Sequence, residues 1–194
     1  MKEPIVIAIT GASGAAIARA VVELLLDRRR PVILTATPAG AAVWQQELPQ
    51  PLPEVVAAWE RRGLTYYDVH DLRAPIASGT FATAGMAVVP CSMSTVSAIA
   101  HGASTNLLQR AADVALKERR PLVVVPRETP LSVIHLENLL RLARLGIVVL
   151  PAMPAFYLRP TRIEELVGFL AARTLDALGI PDALADDLRY RGPS

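Results

Sequence analysis

The sequence predicts an α/β protein in which helices cover both faces of a mainly parallel sheet. Short apolar runs alternate with longer stretches of helical spacing along the chain. The apolar runs are continuous, as in strands that are buried on both faces. Turn residues separate the segments, and neither an internal repeat nor a linker interrupts them. This alternation is typical of successive βαβ units joined by right-handed crossovers.

Six apolar segments have the length and composition of strands. The first, residues 4–10 (PIVIAIT), and the second, residues 31–37 (PVILTAT), are rich in β-branched side chains. The predicted strands cover residues 4–10, 31–37, 64–69, 85–90, 121–126 and 146–150.

The segments between the strands have helical spacing. In the first of them Ile17, Val21 and Leu24 share one face, and Gly146 and Gly179 follow two later segments as C-terminal signals. The predicted helices cover residues 14–29, 39–47, 53–62, 94–101, 106–119, 132–145 and 161–178. We therefore predict a Rossmann-like (flavodoxin-like), doubly wound three-layer sandwich, with one domain over residues 1–181 and a tail over residues 182–194.

Composition narrows the class of protein. A chain of 194 residues, 52% of them hydrophobic, suits a single domain with a substantial core. The net charge of +2 and the 5% aromatic content argue against nucleic-acid binding. One cysteine excludes an intramolecular disulfide, and the three histidines lack ligand-like spacing, so no metal site is expected. Without a signal peptide or an apolar run of about 20 residues, a cytoplasmic protein without membrane contact is expected.

The turn at residues 10–14 (TGASG) lies between the first strand and the first helix. Glycines let a backbone approach an anion, and a helix N-terminus offers free N–H groups, so the turn predicts phosphate binding. The alternative is a tight turn with Ser13 as N-cap. Dinucleotide folds usually carry an acid where the second strand ends, whereas this strand ends Thr35-Ala36-Thr37. A mononucleotide such as FMN therefore fits better than NAD.

Two further loops follow strands. Residues 90–95 (PCSMST) form a second candidate site for an anion or a ring edge, with N-capping by Ser94 as the alternative. Cys91 has no neighbouring base and is expected to be a core residue. In residues 126–130 (PRETP), Arg127 can bind phosphate and Glu128 can act as an acid or base. A mutual tie between these two side chains is the alternative.

Cations on two helices have two interpretations. Arg110 and Lys117, seven positions apart, lie on nearly the same face with Asp113 between them. The helix alone favours a surface ion-pair ladder over a second phosphate site. Tyr157, in the loop at 151–157 (PAMPAFY), either binds phosphate or packs, and Arg173 points either to solvent or inward.

Together these motifs resemble the flavin prenyltransferases of the UbiX type, from Gly11 to about Pro181. The order and spacing of the motifs carry the resemblance. They are GASG (11–14), PCSM (90–93), NLLQRAADVALKERR (106–120), PRETP (126–130), IHLENL (134–139) and PAFY (154–157).

The resemblance implies a reaction and its partners. Such enzymes join the dimethylallyl group of dimethylallyl monophosphate to N5 and then C6 of reduced FMN, without a metal. The product, prenylated FMN, serves a UbiD-type decarboxylase. The subunits form a dodecamer with sites at their interfaces.

The resemblance also implies roles for individual residues. Flavin contacts are assigned to Gly11, Ala12, Ser13, Thr37, Ser92, Met93, Ser94, Thr95 and Arg127. The donor phosphate is assigned to Arg110, Lys117, Tyr157 and Arg173, and the catalytic roles to Ser13, Glu47 and Glu128. Where the family usually has a tryptophan near the C-terminus, this chain has Tyr190, which we assign to the substrate pocket. The tail is accordingly expected to pack near an active site.

Two other functions remain open at this point. A flavin-dependent cysteine decarboxylase shares the fold, but those enzymes typically use a histidine early in the chain, and the first histidine here is His70. A non-catalytic flavin carrier would explain the flavin loops, but not the four residues assigned to phosphate.

Overall fold

Six parallel strands form the centre of the molecule. The computed structural model describes residues 2–180 and residue 183. In that part of the chain the sheet order is β3-β2-β1-β4-β5-β6, and every pairing is parallel. The strands are β1 (Ile5–Ile9), β2 (Val32–Ala36), β3 (Leu64–Tyr66), β4 (Gly85–Cys91), β5 (Leu122–Pro126) and β6 (Val148–Val149). This doubly wound order, which reverses between β1 and β4, confirms the predicted fold class.

Seven α-helices connect the strands within residues 2–180. They are α1 (Ala15–Asp27), α2 (Pro38–Glu47), α3 (Leu52–Glu60), α4 (Met93–Ala100), α5 (Leu107–Lys117), α6 (Val133–Arg144) and α7 (Ile163–Ala177). In the described part of the chain, none of the helices has the length and apolar character that crossing a bilayer requires. The predicted tail at 182–194, except Ala183, lies outside the described residues.

The core has two parts, one on each face of the sheet. On one face Ile5, Ile7 and Ile9 pack with the apolar sides of α1, α3 and α7. On the other face Val6 and Ala8 pack with α4, α5 and α6. Because successive strand residues point to opposite faces, the continuous apolar runs of the sequence supply both layers.

Two strands are shorter than the sequence predicts. Residues 64–69 leave the sheet after Tyr66, because the chain turns towards α5, where the Leu107 N–H donates to the Val69 carbonyl at 2.7 Å. Residues 146–150 pair only at β6, because the Ile147 N–H donates back to Leu142 at the end of α6.

Candidate functional site

Thr10 joins the two turns that flank the reversal of strand order. Its hydroxyl donates to the Pro90 carbonyl at 2.8 Å and accepts from the Ser92 N–H at 2.7 Å. The side chain is 1% exposed, so both hydrogen bonds are shielded from water. Ligands of doubly wound folds bind at this reversal, beyond the carboxyl ends of the strands. The β1–α1 and β4–α4 turns therefore form one connected edge.

The β1–α1 turn leaves backbone N–H groups available. Within residues 2–180, the N–H groups of Gly11, Ala12 and Ser13 have no hydrogen-bond acceptor. A Cβ on Gly11 would lie 2.6 Å from the Ala39 Cβ, so the turn can pack against α2 only as glycine. Gly14, with φ 125°, is the N-cap of α1, so the alternative reading of Ser13 as N-cap is wrong.

Glu47, the last residue of α2, caps α1 from outside. Its carboxylate accepts from the Gly14 N–H at 2.9 and 3.2 Å and from the Ala15 N–H at 2.8 Å. Burial raises the pKa of Glu47, but hydrogen bonds from the Ser13 hydroxyl and these two N–H groups, with the charge of Arg127, outweigh it. The net pKa lies below its ordinary value, so Glu47 is ionised at neutral pH. The N–H groups of Gly14 and Ala15 at the start of α1 therefore hold a carboxylate, whereas those of residues 11–13 have no acceptor within residues 2–180 and remain available to an anion.

The loop after β5 brings Arg127, but not Glu128, to Ser13 and Glu47. The Arg127 Nε donates to the Ser13 carbonyl at 3.4 Å, and the Arg127 charge acts on Glu47. Glu128 instead accepts from the N–H of its neighbour Thr129 at 3.0 Å and lies exposed. The alternative reading of a tie between Arg127 and Glu128 is therefore wrong.

Hydroxyl groups line the β4–α4 turn. Ser92 is the N-cap of α4 and accepts from the Thr95 N–H, so the expected cap at Ser94 is wrong. The Ser92 hydroxyl lies 3.0 Å from the hydroxyls of both Ser94 and Thr95. Met93 is 7% exposed. Burial raises the pKa of Cys91, which confirms a core thiol rather than a nucleophile.

Thr37 caps a third helix at the same edge. Its hydroxyl accepts from the Gly40 N–H at 3.0 Å, at the start of α2. A Cβ on Gly40 would lie 2.8 Å from the Ile9 carbonyl oxygen, so α2 begins in close contact with the end of β1. The N-termini of α1, α2 and α4 thus all lie at the carboxyl edge of the sheet, which favours anions there.

The cation at the end of α5, Lys117, lies away from this edge. Arg110 donates from Nε to the Ala77 carbonyl at 3.1 Å and pairs with Asp113 at 2.8 Å. Lys117 pairs with Glu118 rather than with Asp113, so only half of the predicted ladder forms. Lys117 ends α5 shortly before β5 starts, which puts it at the amino edge of the sheet. One chain therefore does not bring Lys117 to the Gly11 turn.

Two other predicted phosphate residues follow β6. Tyr157 is 55% exposed and meets Phe169 edge to face, with ring centroids 6.5 Å apart. Arg173 lies in α7 and pairs with Asp176. Tyr157 therefore packs on α7 of its own chain, and Arg173 has its ion-pair partner within the same helix. The candidate Tyr190 lies outside the described residues.

A family model and several curated proteins match most of this chain. A family model described as Flavoprotein matches residues 1–174. A flavin prenyltransferase UbiX of Pseudomonas aeruginosa is 46% identical over 189 residues, which covers 92% of this chain and 90% of the relative. One from Methanocaldococcus jannaschii is 42% identical and covers 93% and 95% of the two chains.

Solved structures of similar chains superpose closely. A dodecameric FMN-dependent UbiX-like decarboxylase from Escherichia coli has a TM-score of 0.90 at 38% identity, covering 97% of this chain and all of that one. AnUbiX (PadA1), solved with FMN and dimethylallyl pyrophosphate, has a TM-score of 0.92 at 38% identity, with full coverage of both chains. The FMN-dependent cysteine decarboxylase SpaF, at 14% identity, shares the fold alone.

Proposed function

Because the chain belongs to the flavin prenyltransferases of the UbiX type, within the flavoprotein family, we propose that it transfers a dimethylallyl group to reduced FMN. The observation that carries the proposal is a likeness of 46% identity over about nine-tenths of both chains. The proposed donor is dimethylallyl monophosphate, and the proposed bonds form at N5 and C6 of the flavin.

The residues at the carboxyl edge fit a flavin mononucleotide. The phosphate would accept hydrogen bonds from the available N–H groups of residues 11–13, with Thr37 and Arg127 beside it. The flavin ring would lie along the hydroxyl-lined β4–α4 turn, where Ser92, Met93, Ser94 and Thr95 are assigned to it. FMN supplies the nucleophilic ring atoms when bound, and the protein supplies the fixed polar groups around them.

Ser13 and Glu47 would hold a hydroxyl proton in a fixed position beside the flavin. The Ser13 hydroxyl hydrogen-bonds to the ionised Glu47 carboxylate, and Glu47 is itself held by two backbone N–H groups. A carboxylate of lowered pKa is a weak base, so Glu47 chiefly orients the Ser13 hydroxyl. Glu128, exposed on the neighbouring loop, is proposed to serve proton transfer near the leaving phosphate.

A second copy of the chain would complete the site. Breaking the C–O bond of the donor develops negative charge, which Arg110, Lys117, Tyr157 and Arg173 would stabilise. Lys117 lies at the opposite sheet edge from the Gly11 turn, so a site that contains both must draw on two chains. On α6, the large apolar side chains of Val133, Ile134, Leu136 and Leu140 are at least half exposed, which is typical of an association surface. We propose a dodecamer, the state of the Escherichia coli relative.

The proposed product, prenylated FMN, would pass to a UbiD-type decarboxylase. Anaerobic incubation of the full-length protein with reduced FMN and dimethylallyl monophosphate tests the first step. We expect a flavin heavier by one prenyl group in the mass spectrum. A flavin that binds but gains no mass would overturn the proposal in favour of a carrier.

A matched pair of variants sharpens this test. The sequence has two lysines, Lys2 and Lys117. Lys117→Met is expected to lower the turnover at least tenfold, because it removes a cation from the leaving phosphate. Lys2→Met makes the same change in charge near the N-terminus and is expected to behave like the unmodified protein. Equal effects of the two changes would contradict the role of Lys117.

A further inference from the structure

The cations assigned to the donor phosphate already have carboxylate partners close in sequence. Arg110 pairs with Asp113, Lys117 with Glu118, and Arg173 with Asp176. Each pair is one or three residues apart, so it forms within one helix or at its end. A phosphate that binds these three cations therefore competes with three carboxylates that already balance their charge.

Lys117 is the cation that can most easily change partner. Arg110 is fixed by a second hydrogen bond, from its Nε to the Ala77 carbonyl. Within the described residues, the Lys117 ammonium hydrogen-bonds to Glu118 alone, and the two side chains are 46% and 37% exposed. A lysine side chain is flexible and offers three rotatable donors, so its head can move between acceptors without moving the helix.

The chain makes room for this ion pair. A Cβ on Gly79 would lie 2.3 Å from the Glu118 Oε1 and 2.5 Å from the Lys117 Nζ, so a side chain there would displace both. Arg120 fixes the same loop through the carbonyls of Gly79 and Phe81, at 2.7 and 2.8 Å. The hydrogen bond from Lys117 holds the pKa of Glu118 below its ordinary value, and Glu118 is therefore ionised at neutral pH.

We propose that Glu118 is the resting counter-ion of Lys117, which the phosphate of the prenyl donor must displace. This inference rests on the proposed function and makes Glu118 a residue that sets phosphate affinity. A phosphate dianion near Lys117 is repelled by Glu118, whereas the departing phosphate leaves Lys117 free to pair again. Glu118 thereby weakens donor binding and favours release of the phosphate product.

The test is Glu118→Gln in the full-length protein. Removing one exposed charge beside a dianion is expected to lower the KM for dimethylallyl monophosphate about three- to tenfold. The inhibition constant of inorganic phosphate should fall by a similar factor, and both gains should shrink at high salt. FMN affinity should not change. Glu60→Gln, which removes an exposed carboxylate at the end of α3, is the charge-matched control.

The KM for the donor and the inhibition constant of phosphate together test the role of Glu118. Unchanged or raised values of both constants in Glu118→Gln would overturn the inference, because Glu118 would then be neutral or would position Lys117. Should that variant be unstable, calorimetric titration of inorganic phosphate into Glu118→Asp supplies the comparison. That variant keeps the charge on a shorter side chain that reaches Lys117 less well, so phosphate affinity above that of wild type is expected, and affinity equal to or below wild type would overturn the inference. If wild type forms no prenylated flavin yet Glu118→Gln binds inorganic phosphate more tightly, the proposed function is wrong. The role of Glu118 as the counter-ion of Lys117 is then still supported.

Discussion

The cap that Glu47 places on α1 predicts a defined loss when its charge is removed. Glu47→Gln keeps one acceptor oxygen for the N–H groups of Gly14 and Ala15 but removes the charge from the positive end of the helix. An acid at this position contributes about 0.3–1 kcal/mol at exposed sites and up to about 2 kcal/mol when partly buried. Because Glu47 is largely exposed, we expect about 1 kcal/mol. For a chain of this length, that is a fall in Tm of roughly 2–4 °C.

The control is Glu54→Gln, which removes an acid from the first turn of α3. It is expected to cost only a few tenths of a kcal/mol. Thermal unfolding at pH 7 measures both variants. If Glu47→Gln melts with wild type, or no earlier than Glu54→Gln, the capping role is refuted.

The lowered pKa of Glu47 determines how its contribution to stability changes with pH. The pKa of Glu47 is lower in the folded state than its ordinary value of 4.5, so its stabilisation is complete above that value. It is lost as the pH falls through the lower folded-state pKa. The difference in Tm between wild type and Glu47→Gln should therefore be constant near neutrality and close below about pH 4. A difference that persists unchanged at pH 3 would contradict the assignment.

Three further predictions concern the same edge of the sheet. Thr10→Val should cost about 1–2 kcal/mol in denaturant unfolding, because it leaves the partly buried Ser92 N–H without its acceptor, while the Pro90 carbonyl keeps the Thr10 N–H at 3.3 Å; no measurable cost would contradict this. Gly11→Ala should weaken FMN binding measured by fluorescence, and Ala39→Gly in the same chain should restore part of it, since the clash is between the two Cβ atoms. Cys91 should not react with a thiol reagent until the protein is unfolded, because it is fully buried and its pKa is raised; rapid labelling of native protein would disprove this.

Local pattern predicts the layers of this fold well. Strands β1, β2 and β5 are fully buried; β1 and β5 are continuous apolar runs in the sequence, and Thr35 alone interrupts β2. Residues 64–69 show the limit of that pattern. Val69 is still buried against α5 after the chain has left the sheet, because burial rather than strand pairing determines where an apolar residue stands.

Capping and charge partners depend on contacts that the local sequence does not contain. In residues 92–95 several side chains can cap a helix, and Ser92 is the cap because it follows the end of β4 directly and keeps an extended backbone before α4 begins. The contact between Glu47 and the start of α1 joins positions 33 apart and depends on the path of α2. Lys117 has Asp113 at a helical distance of four residues, yet it pairs with its immediate neighbour Glu118, where the helix ends.

The tie made by Thr10 has a consequence for the kinetics of ligand capture. Both turns are held in place before any ligand arrives, since the hydrogen bonds that join them lie within the protein. Little loop ordering is then left for the moment of binding, and the entropic cost of ordering is carried by folding. Association with FMN should proceed in a single phase at a rate limited by encounter and orientation, without a slow rearrangement afterwards.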